Sequence, residues 1–154
     1  MTKLNERFWS KVEKTETCWT WIGALNHNGY GHYRFNGKAS RVHRIAYTDV
    51  NGPIPDGATV DHVCHNRACV RPEHLRLVTG KQNQENRGGA NSNNSTGSRG
   101  VTFDKRRGLY FGRVTHERIA HFAGYFATVA EAEAAVIAKR NELFTHSDMD
   151  RVAA

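Results

Sequence analysis

Aromatic and polar residues alternate over 30–35, the period of a strand with one buried face, and Asn36-Gly37 then precedes a second strand-like run over 38–42. An Asn-Gly pair between two such runs is a strong hairpin signal. The pattern of 43–50 is that of a short helix stopped by Asn51-Gly52-Pro53. Strand-like runs return at 59–63 and 75–78, and 79–86 reads as a helix opened by a Thr79-x-x-Gln82 capping box. From 59 to 86 the order is therefore strand, long loop, strand, helix.

The run from Gly88 to Gly97 holds one apolar residue and no charge, too little to offset the entropy of ordering it, so a flexible linker is expected at 88–97. Beyond it, strands are expected near 99–104, 110–116 and 119–123, with turns at 105–108 and 117–118. Thr128-x-x-Glu131 opens a helix that places Val129, Ala132, Val136 and Leu143 on one face. This predicts a three-stranded antiparallel sheet packed on one helix. If Tyr110, Gly112 and Val114 face that helix, Phe111, Arg113 and Thr115 face outward.

At 154 residues and 38% hydrophobic, the chain allows one ordinary domain or two small ones with modest cores. Its formal charge of +7 points to a polyanionic partner, and arginine outnumbers lysine, which suits bidentate contact with phosphate and guanine. The segment 1–14 carries Lys3, Arg7 and Lys11 but no apolar run, so neither a secretory signal nor a membrane span is expected. In a reducing compartment three cysteines point to a metal or to buried thiols, not to a disulfide framework.

Cys64, Cys69 and His74 lie in one short segment, and Cys18 beside Trp19 supplies a fourth candidate ligand from a distant strand. Two further readings of these residues stand side by side: a closed, structural tetrahedral zinc site, or ordinary buried thiols and a loop histidine. A small core favours the staple. If the zinc shell is closed, chemistry falls to Asp61, His62 and Asn83. An imidazole suits the deprotonation of water, and a carboxylate with an amide carbonyl suits Mg²⁺. His27, His32 and His65 are expected as surface residues, and Trp19, Trp21, Tyr33 and Tyr47 as core.

The motifs Asp61-His62, Cys64, Cys69, Pro72-Glu73-His74-Leu75 and Thr79 through Asn83 together resemble HNH (ββα-metal, His-Me finger) endonucleases, in particular the zinc-stapled kind related to His-Cys box homing endonucleases. The resemblance implies His62 as general base, Asn83 and Asp61 as ligands of a catalytic Mg²⁺ (or Mn²⁺), and structural Zn²⁺ on Cys18, Cys64, Cys69 and His74. It departs from the common pattern in having His74 at the central position and Asn83 at the third. A basic side chain near the scissile phosphate is also implied, with Arg41, His43 and Arg44 as candidates.

The segment 98–144 resembles the Apetala-two/ethylene-response-factor type of DNA-binding domain through Ser98-Arg99-Gly100-Val101, the strand opened by Tyr110, Ala123-Gly124-Tyr125-Phe126 and the Ala-rich helix. Thr102, Asp104, Thr115 and Ala120 depart from it. That likeness implies DNA contact by Arg99, Lys105, Arg106, Arg107, Phe111, Arg113 and Arg118. The expectation is thus an α+β chain with a zinc-stapled nuclease domain at 1–87, the linker, a DNA-binding domain at 98–146 and a tail at 147–154. It would cut double-stranded DNA to 5′-phosphate and 3′-hydroxyl ends, as a monomer or homodimer, in the cytoplasm of a bacterial or phage-infected cell. The alternatives are a non-catalytic, zinc-containing DNA-binding regulator and an RNA-processing nuclease.

Overall fold

The computed structural model describes residues 4–152; the expected domain and tail ends at 1–3 and 153–154 lie outside them. The chain is mixed α+β with small sheets, and it divides into two compact units, Met1–Asn83 and Gln84–Ala154.

The first unit opens with a helical turn, α1 (Glu6–Trp9), whose Asn5 side chain accepts from the Phe8 amide. Strands β1 (Val12–Lys14) and β2 (Trp19–Trp21) pair antiparallel; neither these nor α1 has enough period to be visible in the sequence. The expected hairpin is β3 (His32–Phe35) and β4 (Lys38–Arg41), turning through Asn36 at φ 49° and Gly37 at φ 77°. Two left-handed residues make the tight turn that Asn-Gly signals. Helix α2 (Val42–Asn51) ends at Gly52, φ 86°.

Strand β5 (Thr59–His62) pairs antiparallel with β6 (Leu75–Val78), with a 3-10 turn at Pro72–His74 between them, and α3 (Gly80–Glu85) follows. Both halves of the capping box form: Gln82 N–H donates to Thr79 Oγ1 at 3.2 Å and Thr79 N–H donates to Gln82 Oε1 at 2.8 Å. The core gathers Phe8, Trp21, Val42, Ile45, Val60, Val70 and Leu75, with Trp19, Tyr33 and Tyr47 packed at its edge. Gly31 is required here, because a Cβ on it would sit 2.5 Å from Val42 and 2.6 Å from Trp21.

In the second unit β7 (Val101–Asp104), β8 (Leu109–His116) and β9 (Ile119–Phe126) form an antiparallel sheet in that order. Helix α4 (Val129–Leu143) carries the full Thr128/Glu131 capping box. Val101 and Val114 from the sheet, Ala132 and Val136 from α4, and Phe144 after it make the core, with Val129 and Leu143 beside them. Gly112 faces the helix so closely that a Cβ would lie 2.6 Å from Val136. The register shifts between Gly112 and Arg113, and β9 continues three residues beyond its expected end, where Gly124, Tyr125 and Phe126 pair with Gly112, Phe111 and Tyr110.

The run 88–97, expected as a flexible linker, lies within this second unit. Its asparagines and hydroxyls make turns of their own: Asn94 Nδ2 donates to Ser98 O at 3.1 Å, and Thr96 Oγ1 donates to Val101 O at 3.0 Å. Side-chain–backbone bonds thus substitute for the apolar burial that the composition lacks. The expected tail also has structure. Ser147 is buried, and Asp150 in α5 (Asp148–Val152) forms a bidentate pair with the buried Arg140 at 2.7 Å.

Candidate metal centre and catalytic site

Backbone pairing brings the four candidate zinc ligands together. Thr20 bridges to Cys69, Val70 N–H donates to Trp19 O at 2.8 Å, and Trp21 N–H donates to Ala68 O at 2.9 Å. These bonds dock the 66–70 turn against β2, directly after Cys18. The ligand atoms of Cys18, Cys64, Cys69 and His74 all lie within 4.8 Å of one another. His74 Nδ1 is 3.7 Å from Cys18 Sγ and 3.6 Å from Cys69 Sγ. Zinc–sulfur bonds of about 2.3 Å and zinc–nitrogen bonds of about 2.0 Å in a tetrahedron set such edges at roughly 3.5 to 3.8 Å. The donor set therefore fits zinc, with four protein ligands and no open position.

Of the two neighbouring thiols Cys69 is the one held below its ordinary value, by a hydrogen bond from the Cys64 thiol with help from the Arg71 amide, and the same bond pushes Cys64 up. Arg71 N–H reaches Cys69 Sγ at 3.4 Å.

His62 ends β5 and is only 5% exposed. Its Nε2 lies 3.1 Å from the Cys69 carbonyl oxygen, an atom that can only accept. Nε2 therefore carries the proton and Nδ1 is the basic nitrogen. One hydrogen bond thus ties the tautomer of His62 to the turn that carries Cys69. Burial lowers the affinity of His62 for a proton, which keeps the ring neutral.

His43 packs on it, ring centroids 4.7 Å apart, and Tyr30 lies 5.4 Å from His43 and 6.1 Å from His62. His43 was a candidate for a cation beside the scissile phosphate. It is 2% exposed, and burial together with His62, Arg41 and Arg44 pushes its pKa down to about 3, so it is a neutral imidazole, not a cation.

The remaining expected residues are placed as follows. Asp61 precedes His62 on β5, and its cross-strand partner Arg76 donates to Asp61 Oδ2 at 3.1 and 3.2 Å. Asn83 lies half-buried on α3. Arg41 is exposed and stacks over Tyr30 at 5.0 Å, while Arg44 is half-buried on α2. Arg67, absent from the expected set, stacks over the same ring at 5.5 Å; a loop arginine has no period to reveal it.

In the second unit, Gly112 and Val114 are buried and Arg113 and Thr115 exposed, as the alternation requires. The outer face also carries Phe122, 55% exposed, and Tyr125, 40% exposed, edge to face with centroids 5.2 Å apart, with Phe111 5.9 Å from Tyr125. Simple alternation does not reveal Phe122, because the bulge reverses it along β9. Arg107 pairs with Asp104 at 3.0 Å and lies over Tyr125 at 4.9 Å; Lys105, Arg106 and Arg118 are exposed in turns. Arg99 has a different role. It donates to Gln84 O at 3.0 Å, to Glu85 O at 3.1 Å and to Arg87 O, so it caps the end of α3 instead of facing solvent.

Residues 40–85 match the family model of an HNH endonuclease, a span that includes His62, Asn83 and three of the four zinc-ligand candidates. The chain is 43% identical over 70 residues to Protein 7.7 of Escherichia phage T7, an alignment covering 46% of this chain and 54% of that protein. Protein 2.8 of the same phage is 37% identical over 84 residues, covering 53% and 57%. Protein 3.8 is 37% identical over 84 residues, covering 54% and 69%. The chain thus spans little more than half the length of the first two relatives. No solved structure matches it.

Proposed function

We propose that this chain, which belongs to the family of Protein 3.8 of Escherichia phage T7 and carries an HNH endonuclease domain, hydrolyses phosphodiester bonds of double-stranded DNA. The observation that carries the reading is the fixed tautomer of His62 inside the matched HNH segment. With Nε2–H held by the Cys69 carbonyl, Nδ1 takes the proton of the attacking water as general base. Asp61 and Asn83 would hold the catalytic Mg²⁺ or Mn²⁺, with Arg76 orienting the Asp61 carboxylate. When bound, that cation neutralises charge on the phosphate and the departing 3′ oxygen. Products with 5′-phosphate and 3′-hydroxyl ends follow.

The zinc cluster plays no chemical part in this scheme. It holds the 64–74 segment so that the Cys69 carbonyl stands where His62 needs it. The strand–strand–helix order β5, β6, α3 supports a ββα-metal arrangement, and the basic sheet of the second unit supports an Apetala-two-like contact with DNA through Lys105, Arg106, Arg107, Phe111, Arg113 and Arg118.

The engagement of Asp61 by Arg76 favours one rival, a non-catalytic zinc-containing DNA-binding regulator. Supercoiled plasmid separates the two. Nicking or linearisation with Mg²⁺ or Mn²⁺, abolished by EDTA, is the expected result; duplex binding with no cleavage under any divalent cation selects the regulator.

A further inference from the structure

The β3–β4 hairpin carries a row of basic side chains that the catalytic scheme leaves unused. His32 and Arg34 are exposed and two residues apart on β3, hence on one face of the strand, and Arg41 is the cross-strand partner of His32 on that same face. At one end of the row a cavity of about 420 Å³ is lined by Arg7, Lys11, His32 and Arg34 over a floor of Trp21 and Tyr33, with no carboxylate in its wall. Arg34 Nε donates to Gly37 O at 3.2 Å, which lays its guanidinium along the hairpin. Among the described residues, no ion pair neutralises Arg7, Lys11 or Arg34. Like charges gathered without a counter-charge repel one another, and a bound anion would relieve that repulsion.

The other end of the row arrives at the candidate base. Arg41 and Arg67 both stack on Tyr30, and Arg67 Nη1 is fixed by Asn28 O at 3.0 Å. The Tyr30 ring is 6.1 Å from that of His62. A four-residue strand spans about 13 Å, longer than any single phosphate, and guanidinium groups are suited to bidentate grip on successive phosphates.

We infer that this row is the cradle for the sugar-phosphate backbone of the strand being cut, with Arg41 and Arg67 on phosphates beside His62 and the Arg7–Lys11–Arg34 cavity on a phosphate further along. The inference rests on the nuclease reading for the identity of its ligand. The row is separate from the sheet of the second unit, so the first unit makes its own grip on nucleic acid.

The test is fluorescence anisotropy of a labelled duplex in EDTA, where no cleavage intervenes, across a salt series. Arg7→Gln/Arg34→Gln should bind about fivefold or more weakly at low salt and flatten the slope of log K against log salt by about 1 to 2, since each phosphate contact contributes about 0.9. With Mg²⁺ restored, KM should rise in parallel while kcat at saturating DNA stays within about twofold, the signature of lost uniform binding. Arg34→Lys, which keeps the charge, should retain most of the affinity and guards against a folding artefact. Wild-type affinity and slope in the double variant would overturn the cradle. So would saturation of the wild-type cavity by inorganic phosphate with duplex binding unchanged in the variant, which would make it a small-anion site. A wild type that binds duplex with full salt dependence but cuts under no divalent cation would remove the nuclease reading and leave the cradle standing.

Discussion

In the first unit the segment between β5 and β6 has little regular pairing of its own and is gathered by three thiols and an imidazole, whereas in the second unit three continuous strands lie on a single fifteen-residue helix with valine and alanine between them. Both units are small. One gathers a Cys/His cluster that could hold a metal where its loops are irregular, and the other relies on periodic side-chain packing with a glycine at the tightest contact. The difference shows where chemistry is placed. The candidate base takes its orientation from the irregular, cluster-held segment, because a carbonyl with no sheet partner is available there to accept from it.

The largest expected effect breaks the first unit alone. Cys69→Ser, or a strong zinc chelator, removes a contribution of about 10 kcal/mol or more and should unfold the first unit while the second keeps its native spectrum. Amide resonances of the two units and zinc analysis check it; wild-type protein without zinc would refute the staple. Next, His62→Ala should lower kcat by about 10²-fold or more with both units folded and duplex affinity retained. A variant cutting at the wild-type rate would rule out this base.

In the second unit Gly112→Ala should cost about 1–3 kcal/mol, because the new methyl overlaps Val136, and should lower the melting transition of that unit only. Thr128→Ala should cost about 1 kcal/mol by removing the α4 cap, read in the same melt. A further effect concerns pH and is small only near neutrality. His43 has a folded pKa near 3, below its unfolded value, so the stability it contributes is present at neutral pH and falls away as pH drops from about 6.5 towards 3. Its ring resonances should therefore not titrate between pH 8 and 5; a midpoint near 6.5 would mean the ring is not buried as described.

Periodic elements were legible in the sequence: the Asn36-Gly37 hairpin, the strands of the second sheet, and both capping boxes rest on local chemistry that a short window contains. The grouping of Cys18, Cys64, Cys69 and His74 was legible because thiols and an imidazole crowd one short segment, with a further cysteine beside Trp19. The rest depends on long-range contact. The Cys69 carbonyl that orients His62, the Arg76 partner of Asp61 and the Tyr30 platform under Arg41 and Arg67 are set by pairing between distant segments. His43 was legible as a basic residue near the site but not as a buried one, since its burial comes from Tyr30 and His62, thirteen and nineteen positions away. The 88–97 run misleads by composition, because asparagine and threonine can order a loop through hydrogen bonds without apolar burial.

Arg99 fastens the closing carbonyls of α3 from a position twelve or more residues downstream, and the division between the units falls inside that same helix. A cut made at the glycine-rich run would strip the last turn of that helix of its clasp. Exchanging the second unit for another, by recombination or by an engineer, therefore has its seam near residue 84, with the final turn of α3 travelling alongside the downstream half.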